Sequence, residues 1–378
     1  GNRCCIYDTY KKERKEGGGN YMKVTVIGAG NGGLAIASHL ALKGHVVNLY
    51  SIFQEELEPI ISKGGIELEG AEEKGFATLD KVTNDIKLAI GSADLIMIVT
   101  PANAHAKIAK DCAPYLKDDQ VVILNPGRTG GALEFDKVLT EERIKNKPII
   151  GEAQTLIYAC RKISSTKVVI YGVKKSLSVA SFPAKNVEKL IKVLNKAYPQ
   201  FVPAINVLET SLNNIGAIFH PAPTILNSAR IESGEKFDYY HEGITPVVAT
   251  VLESIDRERL EVAKALKVKV QSAKEFLKES YGVEADSLYQ AIQNNMAYKG
   301  VKAPAKINIR YLTEDIPMSL VPIASIGYQL GVSTPNIDSI IKIGSTMLNT
   351  DFQKLGRTVD KLGLSGLNSD EIIKLVNG

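Results

Sequence analysis

The chain has 378 residues, 44% of them hydrophobic and 23% charged, a composition typical of globular proteins and long enough for two domains. A formal charge of +4 with no basic stripe beyond the first residues argues against nucleic-acid binding and favours a small anionic ligand. Four cysteines without a C-x-x-C pair argue against a disulfide framework and a zinc site, so a cytoplasmic protein is predicted. No apolar run reaches the ~18 residues of a membrane span.

Residues 1–21 have no apolar periodicity and are expected to lie outside the fold. Glu16-Gly17-Gly18-Gly19, just before Met22, is typical of a translated ribosome-binding sequence. The hypothesis is that the natural protein starts at Met22, which mass spectrometry of the protein from its native source checks.

From Met22 onward, short β-branched runs alternate with amphipathic segments, which is typical of buried parallel strands joined by crossover helices. The first domain, residues 22–205, is therefore predicted to be a doubly wound α/β domain. The runs predicted to be strands are residues 24–27, 46–50, 95–99, 121–124 and 149–150, and the clearest intervening helices are residues 33–43 and 104–116.

A glycine-rich turn follows the first predicted strand and opens the first helix. Its sequence predicts a Rossmann-type dinucleotide site, because one glycine permits the tight turn, one the approach of pyrophosphate, and one the packing of helix on sheet. The residues expected to bind the cofactor here are Gly28, Gly30, Asn31, Gly32 and Gly33. Ordinary turns also carry such glycines, but the flanking strand and helix favour the cofactor site.

The end of the second strand, Tyr50 and Ser51, is where an acidic residue normally binds the ribose of NAD. A serine in place of the acid does not repel the 2′-phosphate of NADP, but no arginine follows to attract that phosphate. The sequence therefore predicts NAD or NADP, with a slight preference for NADP.

Two further turns, residues 100–103 and 125–128, follow strands at the carboxyl edge of the sheet, where ligands bind in such folds. The alternative interpretation is that both are ordinary loop residues without a role in binding. From these turns, Thr100 and Asn125 are expected near the nicotinamide ribose, and Pro101 is expected to contact the cofactor.

From about Leu208 the pattern becomes helical, so residues 206–378 are predicted to form a mainly α-helical domain after a tight hinge, with a cleft between the two domains. One helix is predicted from an apolar stripe at Ile244, Val247, Val248, Val251, Leu252 and Ile255. Gly331 is predicted to end a helix, and Thr334 with Pro335 to begin the next.

Among the five histidines, His220 is the best candidate for proton transfer, because Pro221 disfavours helix at His220 and so places a polar ring at a helix break. A satisfied core histidine is the alternative. Packing or surface roles explain His39, His45 and His241, and capping or solvation is expected of His105.

Residues 310–317 combine a cation with two carboxylates in a segment predicted to be non-helical. Arg310 suits capture of a substrate carboxylate, and a buried Asp315 beside His220 would orient the imidazole. A surface ion-pair cluster is the alternative.

The chain resembles the octopine/nopaline (opine) dehydrogenase family from Met22 almost to its end. The resemblance rests on six segments: residues 28–33, 125–134, 213–227, 240–246, 310–322 and 362–366. Ser51 departs from the family pattern, in which an acid is expected, and this leaves strict use of NAD in doubt.

The resemblance implies a helical domain like the C-terminal domain of 6-phosphogluconate dehydrogenase. It also implies reductive condensation of a 2-oxo acid such as pyruvate with the amino group of an L-amino acid, and the reverse oxidation. His220 and Asp315 would be the catalytic pair, Arg310 would bind a substrate carboxylate, and Glu152 would contact the substrate amine.

Two other functions stay open: a 2-oxo acid or ketopantoate-type reductase that needs no amine, and a dinucleotide-binding regulator without turnover. The catalytic lysine of the former is not evident here. Monomer and homodimer are not distinguished by the sequence.

Overall fold

The computed structural model describes residues 20–71 and 73–378. Their strands are β1 Lys23–Ile27, β2 Val46–Tyr50, β3 Ile66–Glu69, β4 Gly75–Ala77, β5 Lys81–Thr83, β6 Leu95–Ile98, β7 Val121–Leu124, β8 Ile149–Ala153, β9 Tyr158–Ser164, β10 Lys167–Val173, β11 Leu177–Phe182 and β12 Phe201–Pro203.

The helices of the first half are α1 Asn31–Leu42, α2 Gln54–Lys63, α3 Ile86–Ile90, α4 His105–Cys112, α5 Gly131–Glu141 and α6 Val187–Leu194. Those of the second half are α7 Val207–Leu212, α8 Gly216–Phe219, α9 Pro221–Leu226, α10 Ser228–Glu232, α11 Pro246–Ala265, α12 Ala273–Tyr281, α13 Leu288–Asn294, α14 Arg310–Thr313, α15 Val321–Leu330, α16 Pro335–Met347, α17 Phe352–Leu355, α18 Val359–Leu362 and α19 Ser369–Asn377, with a π-helical turn at Ile316–Leu320.

The described chain divides into two units near residue 210, five residues after the predicted boundary. The first comprises the described residues up to Gly127, Gly131–Thr210 and Val376–Gly378, and the second comprises Arg128–Gly130 and Ser211–Leu375. The sequence did not predict that Arg128–Gly130 belong to the second unit or that Val376–Gly378 belong to the first.

The first unit is built on an eight-stranded sheet of order β12-β11-β8-β7-β6-β1-β2-β5. The six strands from β8 to β5 are mutually parallel, which confirms the doubly wound prediction, whereas β11 runs antiparallel to β8. Each of the five predicted strands is present. The prediction missed the shorter or more exposed strands β3, β4, β5, β9, β10 and β12, and also β11, which has six residues of which four are buried.

A second sheet, of order β4-β3-β10-β9, also belongs to this unit, and the sequence did not predict it. Helix α1 packs against both sheets, and Gly32 through Ala41 are all buried. The shared core includes Leu34 and Leu40 from the helix, Leu95 from the large sheet, and Val168 from the small one. This two-sided burial explains why α1 is apolar nearly all round.

The second unit is helical, as predicted. Leu252 and Ile255 of α11 are fully buried, as is Ile244, two residues before the helix begins. Val247 is 77% exposed, so its place in the predicted stripe was wrong. Gly331 ends α15 with a left-handed φ of +74°, and Pro335 begins α16. Within the described ranges the longest helix is α11, and none has the length and apolarity of a membrane span.

The leader segment falls almost wholly outside the described residues, which begin at Asn20. Tyr21 belongs to the fold, because its ring packs edge-on against His45 with the centroids 6.0 Å apart. Tyr21 therefore departs from the expectation that residues 1–21 lie outside the fold, and residues 1–19 of that expectation lie outside the described residues.

Candidate active site

The glycine turn between β1 and α1 has the shape that a dinucleotide pyrophosphate needs. Gly28 has a φ of +116°, and a Cβ there would lie 2.2 Å from the Val99 carbonyl oxygen, so only glycine fits. A Cβ at Gly33 would lie 1.9 Å from the Gly28 oxygen, which allows helix and turn to meet closely. A Cβ at Gly30 meets no atom within 4 Å, so this side of the turn is open.

The start of α1 suits a negative charge. Gly30 caps the helix without a side-chain acceptor, no acid stands in the first turn, and the first helical hydrogen bond runs from Leu34 N–H to the Gly30 carbonyl. The earlier N–H groups and the helix dipole therefore favour an anion such as a phosphate. The residues present thus fit an NAD(P) pyrophosphate.

Asn31 and Lys162 connect this turn to strand β9. Asn31 Oδ1 accepts the backbone N–H of Lys162 at 2.9 Å, so its side chain positions the strand. The Lys162 ammonium donates to the Ala29 carbonyl at 3.2 Å and adds a cation beside the turn. Sequence reasoning missed Lys162, because it lies 133 residues from Ala29.

Ser51 follows β2 as predicted, but its hydroxyl is committed within the protein. The side chain is buried, its Oγ accepts the Phe53 N–H at 3.1 Å, and its proton is donated to Glu56 Oε2 at 2.7 Å. An acid from helix α2 thus stands where the sequence showed none, and the premise of the slight NADP preference does not hold.

The other predicted cofactor residues differ in exposure. Tyr50 is buried in β2, where burial and the nearby Asp111 raise the pKa of its phenol. Thr100 is half-buried and Pro101 is exposed. Asn125 is buried and donates its amide to the Ile123 carbonyl at 3.0 Å. Contact of Tyr50 and Pro101 with the cofactor, and of Thr100 and Asn125 with a nicotinamide ribose, stays a prediction.

Glu152 is completely buried in the first unit. Its Oε2 accepts the Ala132 N–H at 3.1 Å near the start of α5, and its Oε1 accepts the Thr210 hydroxyl at 2.7 Å. A Cβ at Gly127 would lie 2.2 Å from Oε2, so the turn packs tightly on this carboxylate. The geometry favours a structural role for Glu152 over the expected contact with a substrate amine.

His220 and Asp315 form a hydrogen-bonded pair in the second unit. The His220 Nδ1 lies 2.9 Å from Asp315 Oδ2, although 95 residues separate them. The imidazole is 22% exposed while the carboxylate is 1% exposed. Its other nitrogen, Nε2, has no hydrogen-bond partner among the residues that the structure describes, which leaves it available for a proton donor or acceptor role.

The predicted helix break is present between α8 and α9, but His220 itself keeps right-handed helical dihedrals, and its N–H donates to the Gly216 carbonyl at 3.1 Å, contrary to the expected effect of Pro221. Pro223 has no N–H to offer the carbonyl of Phe219, and the buried Tyr239 hydroxyl donates to that carbonyl instead, at 2.7 Å. The same hydroxyl lies 2.9 Å from the His220 carbonyl. Tyr311 stacks on the imidazole with centroids 4.2 Å apart and planes 6° apart. The Tyr239 hydroxyl therefore holds the backbone beside His220, and the Tyr311 ring holds the face of the imidazole.

Residues 310–317 are not the non-helical segment that was predicted. Arg310 begins the single helical turn α14, and Asp315 immediately precedes the π-helical turn. The segment is not a surface cluster, because Glu314 and Asp315 are buried. Arg310 is exposed, and no ion-pair partner is found for it in the described chain.

Arg128 is the functional residue that sequence reasoning missed in this unit. Its NH2 lies 3.2 Å from Glu314 Oε1, and its NH1 lies 3.7 Å from Asp315 Oδ1. It has a left-handed φ of +56°, which non-glycine residues seldom adopt. The signal available in the sequence was a cation in the turn after β7, but Glu314 is 186 residues away.

The charges around Asp315 keep it ionised. Burial by itself would raise the pKa of this carboxyl, but the charges of His220 and Arg128 and the hydrogen bonds from His220 and Ser319 outweigh it, so the pKa is lowered. Burial opposes the charge of Arg128 in the same way, and the two carboxylates outweigh it to raise the pKa of the guanidinium.

The other four histidines are buried in the fold or contact the protein backbone. His39 and His45 are buried in the first unit, and burial lowers the pKa of both. His105 begins α4 and is fully buried, so the expectation of solvation was wrong. His241 Nε2 lies 3.0 Å from the Asn295 carbonyl. Over the described ranges, no three His, Cys, Asp or Glu side chains are grouped to hold a metal ion.

Comparison with known proteins gives two family matches. Residues 203–348 match the α-helical domain of NAD/NADP octopine/nopaline dehydrogenases, and residues 23–150 match the N-terminus of NAD-dependent glycerol-3-phosphate dehydrogenase.

Among individual relatives, an opine dehydrogenase of Arthrobacter sp. (strain 1C) is 44% identical over 344 residues, covering 91% of this chain and 96% of the relative. The octopine dehydrogenase of Pecten maximus is 27% identical over 368 residues, covering 86% and 92%. A solved octopine dehydrogenase in complex with NADH and agmatine has a TM-score of 0.78 at 24% identity, covering 94% of this chain and 98% of that one.

Proposed function

Because the chain belongs to the octopine and nopaline dehydrogenase family, we propose that it condenses a 2-oxo acid with the amino group of an L-amino acid and reduces the resulting imine. It is an NAD(P)-dependent oxidoreductase that acts on CH–NH donors. The observation that carries the proposal is the His220–Asp315 pair, with Nε2 of the imidazole unengaged by the described residues.

The proposed condensation joins an amine and an oxo acid into a secondary amine. The amine nitrogen displaces the oxo oxygen as water and forms a C=N bond. A nicotinamide cofactor bound at the glycine turn would supply the hydride for the carbon of this bond. A proton reaches the nitrogen, which leaves a secondary amine carrying two carboxylates. The solved octopine dehydrogenases bound to L-arginine or to pyruvate, each with NADH, support this pair of substrate classes.

His220 would supply the proton from Nε2. Asp315 accepts the hydrogen bond at Nδ1, which fixes the ring's orientation and stabilises the charged imidazolium before it gives up its proton. The lowered pKa of Asp315 keeps this carboxylate negative at neutral pH. In the reverse oxidation the same nitrogen would accept the proton.

Arg310 would bind a substrate carboxylate. It is exposed at the start of α14, five residues before Asp315, and in the described chain no carboxylate neutralises it. A guanidinium can pair with a carboxylate through two parallel hydrogen bonds, which also orients the acid. Arg128, by contrast, is already paired with Glu314 and Asp315.

The glycine turn and the start of α1 would hold the cofactor's pyrophosphate, with Lys162 adding a charge beside it. A cytoplasmic location is part of the proposal and is supported by the free thiols of Cys112 and Cys160. A homodimer stays a prediction, which sedimentation of the purified protein tests.

The decisive test measures oxidation of NADH and NADPH with pyruvate alone, and then with pyruvate and each common amino acid. We expect oxidation to depend on one or a few amino acids, with a secondary amine dicarboxylate as the product by mass spectrometry. Equal rates with and without amines would contradict the condensation and favour the simple 2-oxo acid reductase. Tight dinucleotide binding with no turnover on any pair would favour the regulator.

A further inference from the structure

The end of strand β2 lies beside the glycine turn, and this fixes where a bound adenosine ribose would be recognised. The Gly28 N–H donates to the Tyr50 carbonyl at 2.8 Å, so Ser51 follows directly at the carboxyl edge of the sheet. In dinucleotide-binding domains this position reads the ribose hydroxyls, usually through an acid on the strand itself. Here the strand offers only a serine.

The serine cannot act as the acceptor that NAD recognition needs. Ser51 is 4% exposed, its one hydroxyl proton is used on Glu56, and its oxygen already accepts the Phe53 N–H. Glu56 is half-buried in the first turn of α2 and uses Oε2 for this bond. Its Oε1 accepts no hydrogen bond within the described ranges, and so can take one from a ligand hydroxyl.

The surrounding charge opposes a phosphate. Residues 51–62 contain Glu55, Glu56 and Glu58 and no cation, and the first cation along the chain is Lys63. The dipole of α2 would attract an anion, but two carboxylates in its first turn already take that place. On the neighbouring strand β5, Lys81 pairs with Asn48, two residues back from the end of β2. A 2′-phosphate of about two negative charges would therefore meet net repulsion.

We propose that Glu56, held by Ser51, is the cofactor-specificity residue: it accepts the ribose hydroxyls of NADH and excludes the 2′-phosphate of NADPH. The acid comes from the helix after the strand instead of from the strand end. This inference rests on the NAD(P) dependence of the proposed function, but not on the amine or the oxo acid.

The test is a fluorescence titration of NADH and NADPH, without oxo acid or amine, on three proteins. We expect the unsubstituted protein to bind NADH at least about tenfold more tightly, and Glu56→Gln to reduce that ratio by about tenfold, because the charge is removed while the shape and the bond to Ser51 are kept. Glu55→Gln is the matched control: it also removes a first-turn charge but has no bond to Ser51, and its ratio should change less than about twofold.

A rescue separates recognition from damage to the fold. Adding Ser51→Asp to Glu56→Gln returns a carboxylate to the strand end, and the preference for NADH should return. The inference is overturned if the unsubstituted protein binds NADPH as tightly as NADH, or if Glu56→Gln leaves the ratio unchanged. Neither result bears on whether oxidation depends on an amine, so failure here and failure of the proposed condensation are distinguishable.

Discussion

The imidazole of His220 has one nitrogen fixed and one open, and this asymmetry suits it to proton transfer. Asp315 fixes Nδ1, while the stacked ring of Tyr311 restricts rotation. An ionised carboxylate inside the protein is costly unless it is paired. Here the cost is offset by His220, Arg128 and Ser319 together.

Replacing His220 by Asn should lower kcat for amine-dependent NAD(P)H oxidation by about 10²- to 10⁴-fold, because the positioned proton donor is lost. Asp315→Asn should lower it by about a hundredfold or more, because the imidazolium loses its counter-charge. The dinucleotide Kd should change less than about threefold in both variants, because the glycine turn is untouched. Full activity of either variant would remove the pair from the mechanism.

Arg128 lies near Oδ1 of Asp315, while His220 is bonded to Oδ2, so we regard Arg128 as a positioning residue. Its two contacts on Glu314 and Asp315 hold the start of the π-helical turn. Its cationic charge is also one of the causes that lower the pKa of Asp315.

Arg128→Gln should therefore raise the pKa of Asp315 and move the acid limb of the kcat/KM profile to higher pH, because one of the charges that lower this pKa is removed. Arg128→Lys keeps the charge and should restore most of the shift, even if its geometry is poorer. Kinetic profiles of both variants between pH 4 and 8 check this. A loss of activity by the same factor at every pH would indicate a merely structural arginine.

At the level of elements, the glycine turn separates two roles that the sequence motif combines. Gly28 and Gly33 are required by the protein itself, because any side chain there would collide with backbone atoms. Gly30 faces open space, so its lack of a side chain serves whatever approaches the turn.

Gly30→Ala should weaken NADH binding by about tenfold or more while the free energy of unfolding falls by no more than ~1 kcal/mol, the cost of alanine at a helix cap. Gly33→Ala is the contrasting variant, and it should lower stability as well as binding, because its Cβ would lie 1.9 Å from the Gly28 oxygen. Titration and urea unfolding of both distinguish these outcomes. Unchanged NADH affinity in Gly30→Ala would argue against the pyrophosphate site.

At the scale of the whole molecule, pH acts on stability through histidines that are buried in the neutral form. Burial and the charge of Lys43 lower the pKa of His45 to about 4, and its Nδ1 accepts the Met22 N–H at 3.1 Å, a bond that the unprotonated ring makes. In the unfolded chain the pKa returns to about 6.5.

The unfolded state therefore binds the extra proton between about pH 6.5 and pH 4, so stability is full above pH 6.5 and falls as the pH drops to about 4. The loss attributable to His45 is about 3 kcal/mol. His45→Gln should reduce this dependence, and urea unfolding of both proteins at pH 7, 5.5 and 4.5 measures the difference. Parallel curves for the two proteins would contradict the assignment.

The sequence by itself determined the parallel strands β1, β2, β6, β7 and β8, the glycine turn and the helical second half, because these depend on local periodicity and on conformations that few residues adopt. It also marked His220, because Pro221 acts on its immediate neighbour. The cation and carboxylates of residues 310–317 marked Arg310 and Asp315 as candidates, and the resemblance to a family then implied their roles.

Only the tertiary structure decided which distant groups meet. Arg128 joins Glu314, Lys162 joins Ala29, and the small second sheet forms from strands whose side chains are partly exposed. Even Glu56, five residues from Ser51, required the turn of the chain to bring its carboxylate back to the strand end. Hydrophobic periodicity in the sequence indicates which face of a helix or strand is buried. Ion pairs and hydrogen bonds between distant residues depend instead on which segments the tertiary fold brings together.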